Sequence, residues 1–266
     1  MAAVVAVVRV AWTPGRAEPA HRAEMTTCWL LGESVEVLEE RDAWRRVRGP
    51  DGYEGWTTAG SLLRGDAAAA WKGGATVLSL GTRLEGGPED AAAFAPWGAR
   101  LSPAEGGRVR LPGGEPVEPE RPDRLVTDVD RARRFRADPA AVAATARAWL
   151  GAPYLWGGRT REGVDCSGLV QAVFALHGMP LPRDSRDQAR LGRSLGTEVA
   201  AARPGDLVFF AWEGGPISHV GIALGNGGLL HASETRGAVA ADDLGEHDAF
   251  ARRLRDGIVA IRRVRD

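Results

Sequence analysis

Cysteine is nearly absent from this chain: Cys28 and Cys166 are the only two in 266 residues. Two thiols cannot build a disulfide framework, so the fold must rest on a hydrophobic core. A reducing compartment is therefore permitted. A long apolar run is also missing. The segment Ala2–Val8, in "MAAVVAVVRVAW", falls far short of the ~20 residues of a membrane span. It has no basic residues ahead of it and no clear small-residue cleavage site behind it, and reads as a buried strand rather than a signal peptide. Nor is there an excess of one charge. With 34 Lys and Arg against 35 Asp and Glu, the net charge is −1. That excludes any global attraction to nucleic acid or anionic lipid.

What is present is ordinary globular composition, 44% hydrophobic and 26% charged, in a length that suits one large domain or two to three small ones. The first 65 residues read as strands and turns. "SVEVLEE" (Ser34–Glu40) alternates apolar and polar, as a half-buried strand does. "AWRRVRG" and "GYEGWTT" follow, separated by the turn signal "PDG". Short strands with tight turns predict a small β-barrel. The run "LLGESVEVLEERDAWRRVRGPDGYEGWTTAGSLL" resembles a bacterial SH3-like domain. Residues 66–122 hold "ATVLSLGTRL", "WGARLSP" and "GRVRLPG", which read as strands of a second, divergent SH3-like domain. "PGGEPVEPERPD" (Pro112–Asp123), with four prolines, reads as an extended linker.

Around residue 138 the texture changes. Asp138 is a good N-cap, Pro139 suits the first helical position, and Gly151 fits a helix C-terminus. A second helix begins at Cys166 and ends at Gly178, and "DSRDQARLG" reads as a short third. Strands follow at "DLVFFAW", "HVGIALG", "LLHAS" and "IVAIRRV". Helices first and consecutive strands after predict an α+β domain with helices packed on an antiparallel sheet.

The chemistry concentrates on Cys166. A thiol is a poor nucleophile until it loses its proton. The unpaired N–H groups and partial positive charge of a helix start favour the thiolate. A base is also needed. His219 opens "HVGIALG" and His231 sits in "LLHAS", and "GNGG" between them is a hairpin signal that brings the imidazoles together. One can deprotonate Cys166 while the other orients it. The alternatives are a buried structural cysteine or a zinc site built from Cys166, His219 and His231, although no metal-ligand spacing supports the latter. Cys28 lies in an apolar strand and reads as buried. His177 ends a helix and reads as a structural cation on the dipole, whereas His21 and His247 read as solvated. "WGGR" lacks the Lys-Ser/Thr of a phosphate loop.

"YLWGG", "DCSGLVQ", "PGDLVFF", "SHVGIALG" and "LLHAS", in that order over residues 140–266, are together similar to the NlpC/p60 murein peptidases, papain-like cysteine peptidases. The resemblance implies a papain-like catalytic domain over 123–266 behind SH3-like domains at 1–65 and 66–122. It makes Cys166 the nucleophile, His219 the base and His231 the third polar residue, where many members have Asn or Gln. Tyr154 and the backbone N–H of Cys166 would face the oxyanion. Trp156, Asp165, Ser167, Ser185 and Ser218 would line the substrate side. One subgroup with an SH3-like module cuts γ-D-glutamyl-L-diamino acid bonds in murein peptides with a free N-terminal L-Ala. In it the SH3-like domain walls off the cleft, and an acid and a tyrosine hold the substrate ammonium; these align with Glu24 and Tyr53. The resemblance further implies no cofactor and no metal, a monomer that binds neither nucleic acid nor membrane, and recycling in the cytoplasm, or export if a leader once preceded this sequence. A broader hydrolase of intact cell wall, or a catalytically silent murein-binding protein, would share most of these features.

Overall fold

The computed structural model describes residues 4–71, 76–89 and 91–265. Ala2 and Ala3 of the first predicted strand and Ala75 of "ATVLSLGTRL" lie outside them. The chain forms two compact units, residues 1–131 and 132–266.

The first unit holds two sheets. Strands β1 (Val4–Val8), β2 (Trp12–Arg16), β3 (Met25–Leu30), β4 (Ser34–Arg41), β5 (Trp44–Arg48), β6 (Glu54–Thr58) and β7 (Leu62–Leu63) form a seven-stranded sheet, ordered β3-β2-β6-β5-β4-β1-β7. Its core is Trp29, wholly buried, with Ala6, Val8, Val35, Val47 and Leu62. Cys28 is buried in β3. A short helix α1 (Asp66–Trp71) leads to β8 (Val77–Glu85), β9 (Phe94–Pro103), β10 (Val109–Arg110), β11 (Pro116–Pro119) and β12 (Leu125–Thr127). Here β11 pairs with both β10 and β8, which closes the second sheet into a small barrel.

That closure overturns the linker reading of Pro112–Asp123. Val117 is 1% exposed and packs with Leu84, Leu101 and Val109. Prolines are tolerated because they sit at the ends of this four-residue strand, where few ladder donors are needed. Leu31 joins the same cluster, and its carbonyl accepts the N–H of Arg100, so the two sheets share core.

Helix α2 (Asp128–Arg134) carries the chain into the second unit. Asp138 caps α3 (Pro139–Ala146) by accepting from the amides of Ala140 and Ala141, as the sequence predicts. The hairpin β13 (Arg159–Thr160) and β14 (Gly163–Val164) precedes α4 (Cys166–Leu176) and the single turn α5 (Ser185–Gln188). The sheet comprises β15 (Arg193–Ser194), β16 (Leu207–Phe210), β17 (His219–Gly225), β18 (Gly228–Ser233), β19 (Ala238–Asp243) and, after α6 (Ala249–Asp256), β20 (Ile258–Arg263). Its order is β15-β20-β16-β17-β18-β19, antiparallel throughout.

Helix α4 is buried on almost every face. Leu169, Val170, Val173, Phe174 and Leu176 are all at most 2% exposed. A helix apolar all round belongs inside a domain, and each such side chain contributes about 1.5–3 kcal/mol by leaving water. His177 lies beyond its end, buried, with Nδ1 on the Arg136 carbonyl and Nε2 on the Thr145 hydroxyl. One donor and one acceptor satisfy a neutral ring, so a cation on the helix dipole is not required. Among the described residues, no helix is long and apolar enough to cross a membrane.

Candidate active site

Cys166 is the first residue of α4, 6% exposed. Asp165 caps the helix: its Oδ1 accepts the amide of Gly168 at 2.7 Å. Its Oδ2 accepts the amide of Gly157 at 2.8 Å, which ties in the loop carrying Tyr154 and Trp156. Arg183 then closes on both oxygens, at 3.0 and 2.5 Å, and also donates to the Ser167 hydroxyl at 2.8 Å. Arg183 and Asp165 are both buried. The carboxylate of Asp165 is thus occupied by the cap, the loop and the guanidinium. Gln188 adds a further tie, its amide donating to the carbonyls of Ser167 and Pro182.

The glycines of "YLWGG" and "DCSG" have a packing reason. A Cβ on Gly168 would lie 2.1 Å from the Gly158 carbonyl oxygen, and one on Gly158 would lie 2.3 Å from that of Gly163. Helix start, loop and β-hairpin approach more closely than any side chain allows.

On the sheet, His219 begins β17 and His231 lies within β18. The turn between them has Asn226 at φ 52° and Gly227 at φ 83°, the positive pair that a tight hairpin needs. The register puts the histidines two positions apart on one face, with Nε2 of His219 2.7 Å from Nδ1 of His231. Nε2 of His231 lies 2.9 Å from Oδ2 of Asp242 on β19. Asp242 is also held by Arg236, through Nε at 3.2 Å and through Nη2. Arg236 in turn lies over the ring of Phe250. Phe210 and Trp212 flank His219 at centroid distances of 5.4 and 6.2 Å.

The backbone N–H groups of Val220 and Ser167 face the sulfur of Cys166, so the start of β17 lies directly against the start of α4. These donors and Arg183 favour the thiolate. Burial and the charge of Asp165 outweigh them and push the thiol up to about 12. The sequence-based expectation of a helix-start thiolate is therefore reversed: desolvation of a buried anion wins over partial charges at a helix end. Burial and the neighbouring His231 push His219 down to about 3. At rest, thiol and imidazole are both neutral. Tyr154 is pushed up by its own burial and by Cys166, Asp165 and Glu234, and so remains a phenol, able to donate a hydrogen bond.

The remaining predicted site residues distribute unevenly. Tyr154 is half-buried, Trp156 is 54% exposed, Ser167 and Ser185 are buried, and Ser218 is exposed. In the first unit, Glu24 precedes β3 and Tyr53 precedes β6; both strands flank the C-terminal end of β2, so these two residues come to one end of that sheet. Among the described residues no set of three His, Cys, Asp or Glu side chains is arranged to hold a metal ion. Sequence reasoning missed Arg183, Gln188, Arg236 and Asp242. Arg183 and Gln188 flank the predicted Ser185 in "RDSRDQ", but nothing local says that they point at α4.

A buried thiol at the start of a helix, packed on an antiparallel sheet that carries a histidine pair, defines a papain-like α+β domain. Residues 151–255 match the NlpC/P60 family, and residues 15–62 match the bacterial dipeptidyl-peptidase Sh3 domain. The chain thus carries an NlpC/P60 domain of papain-like fold, with a bacterial dipeptidyl-peptidase SH3 domain ahead of it in sequence. It is 27% identical over 249 residues to the gamma-D-glutamyl-L-lysine dipeptidyl-peptidase of Bacillus cereus, covering 81% of this chain and 69% of the relative. It is 45% identical over 89 residues to the protein of the same name in Bacillus subtilis, covering 33% of this chain but only 29% of the relative. The murein DD-endopeptidase MepS of Escherichia coli K12 is 41% identical over 92 residues, 34% of this chain and 47% of the relative. A crystal structure of an NlpC/P60 family protein from Bacillus cereus shares the fold, with a TM-score of 0.80 at 21% identity over 98% of this chain and 99% of that one.

Proposed function

We propose that this chain is a cysteine peptidase that hydrolyses the bond between γ-D-glutamate and an L-diamino acid in short murein peptides with a free N-terminal L-Ala. The observation that carries this reading is the hydrogen-bonded run from Asp242 through His231 to His219, whose next residue, Val220, sets its backbone N–H on the sulfur of Cys166. The substrate class is supported by the printed names of the two Bacillus relatives and by the SH3-like domain that accompanies the catalytic one.

Because thiol and imidazole are both neutral at rest, His219 takes the proton as the sulfur attacks the γ-carbonyl of D-Glu. The tetrahedral oxyanion accepts hydrogen bonds from the Cys166 amide and the Tyr154 phenol. Protonated His219 then donates to the leaving amine of the diamino acid, and water clears the thioester with the same imidazole as base. Trp156, Ser167, Ser185 and Ser218 are assigned to the substrate side, Asp165 to the frame that holds it. Recognition of the L-Ala ammonium is assigned to Glu24 and Tyr53. A free-amine requirement suits the recycling of released peptides.

The test is kcat/KM for L-Ala-γ-D-Glu-L-Lys and its meso-diaminopimelate counterpart, for the N-acetylated forms, and for solubilisation of intact sacculi. Cleavage of the free tripeptides, nearly abolished by acetylation, is expected. Losing the partner of a charged carboxylate typically costs about 2–5 kcal/mol in binding. Equal cleavage of free and acetylated peptides, with release from sacculi, would replace this reading by a general cell-wall endopeptidase. No turnover of any of them would leave a murein-binding protein.

A further inference from the structure

We infer that Asp242 is a positioning residue which, acting through His231, sets the tautomer of His219 and so makes Nδ1 of His219 the atom that takes the Cys166 proton. The inference rests on the peptidase reading above. Its parts are three side chains on three adjacent strands. In the sheet, His219 lies diagonally across β17 and β18 from His231, and His231 lies diagonally across β18 and β19 from Asp242. All three side chains share one face.

A carboxylate only accepts. The Nε2 of His231, 2.9 Å from Oδ2 of Asp242, must therefore carry the hydrogen. In a neutral ring the other nitrogen, Nδ1, is then bare and accepts. Its partner, 2.7 Å away, is Nε2 of His219, which must donate and so carries that ring's hydrogen. This leaves Nδ1 of His219 with a free lone pair. A doubly protonated His231 would reverse the sense: its Nδ1–H would occupy Nε2 of His219 and put the hydrogen on Nδ1, where it cannot serve as a base.

Arg236 completes the device. It donates to both oxygens of Asp242 and keeps the carboxylate ionised. Burial opposes ionisation of Asp242, but the bonds from His231 and Arg236 outweigh it, and the group is held below the usual carboxylate range. Arg236 also decides what an amide would do at this position. With Asn at 242, the amide oxygen keeps the shorter of the two Arg236 contacts, the one with Nη2. The NH2 group then takes the place of the oxygen shared by His231 and Nε of Arg236, turns to His231, and the longer bond from Nε is lost. It would then donate to Nε2 of His231, and the whole relay would invert.

The experiment is the ¹⁵N spectrum of histidine-labelled protein, alongside kcat and KM for the free tripeptide, on wild type, Asp242→Asn, Asp242→Glu and Arg236→Gln. In wild type, both His231 and His219 are expected as Nε2–H tautomers. In Asp242→Asn, both are expected to shift toward Nδ1–H, with kcat down about 10²-fold and KM little changed. That loss is smaller than the ~10⁴-fold that follows when the tautomer of a base is corrupted by its direct partner. Asp242→Glu should restore the wild-type tautomers and much of kcat. Nδ1–H tautomers in the wild type, or unchanged tautomers and kcat in Asp242→Asn, would overturn the proposal. The spectrum needs no substrate, so a wild type inactive on the tripeptide would sink the peptidase reading while the tautomers still test Asp242. Should Asp242→Asn unfold, Arg236→Gln is the second arm; full kcat with unchanged tautomers in Arg236→Gln would remove Arg236 from the device.

Discussion

Arg183 holds the carboxylate of Asp165 in a buried bidentate ion pair, with nitrogen–oxygen distances of 3.0 and 2.5 Å, one residue from the thiol of Cys166. The pair connects α5's segment to the cap of α4. It also fixes Ser167, whose hydroxyl accepts from the same guanidinium. Removing one partner leaves a buried charge uncompensated, which typically costs about 3–5 kcal/mol. Arg183→Ala should therefore lower the denaturant midpoint strongly. A loss below about 1 kcal/mol in chemical unfolding would mean that the amides of Gly157 and Gly168 suffice for Asp165.

Gly168→Ala tests the close approach behind "DCSG". The added methyl meets a backbone oxygen at 2.1 Å, so helix or loop must move. Overpacking of this kind costs about 1–3 kcal/mol. Displacement of the helix start should also reduce kcat more than it raises KM. Wild-type thermal stability and turnover in Gly168→Ala would show that the loop yields freely.

Cys166→Ala should leave the fold intact and abolish hydrolysis, because the hydroxyl of Ser167, the other nucleophilic group at the start of α4, is tied to Arg183 and Asp165. His219→Asn should lose nearly all activity, since Asn has no lone-pair nitrogen to take the proton. His231→Asn should retain measurable turnover: the Asn oxygen can accept from Nε2 of His219 and keep its tautomer. Tripeptide turnover by Cys166→Ala, or equal and complete loss in the two histidine variants with folding intact, would contradict these roles.

Stability should depend on pH through the same two side chains. Cys166 is raised in the fold to about 12, against ~8.5 unfolded. Its stabilisation is complete below the unfolded value and is lost as pH rises between the two, at up to about 1.4 kcal/mol per pH unit. His219 is lowered to about 3, against ~6.5 unfolded. The folded state disfavours its charged form, so stability is present above ~6.5 and falls as pH falls below it. Cys166→Ala should thus flatten the alkaline limb of the stability profile, and His219→Gln the acid limb. Urea midpoints at pH 5, 7 and 9.5 measure both; parallel profiles for variants and wild type would contradict the burial of these groups.

The local signals were legible because they act over a few residues. Asp138 precedes a helix that its side chain caps, as expected, whereas Asp165, read for the substrate side, caps α4. The turn at Asn226 and Gly227 demanded a hairpin, and a hairpin with period-two alternation brings His219 and His231 onto one face. The ordered motif set pointed to the family. The Pro-rich segment misled, because composition describes intrinsic stiffness and cannot report that β8 and β10 leave edges for Val117 and its neighbours to close.

Three matters were decided only by tertiary structure. Asp242 and Asp243 are adjacent acids, and which one meets His231 depends on a strand register that a one-residue slip would reverse. Arg183 reaches Asp165 from 18 residues away, across a turn whose path no local pattern encodes. The state of the thiol is the third. Sequence alone places Cys166 at a helix start, where partial charges favour the anion. The packed domain removes water from the sulfur and sets Asp165 beside it, and desolvation, a property of the whole surroundings, is the larger effect.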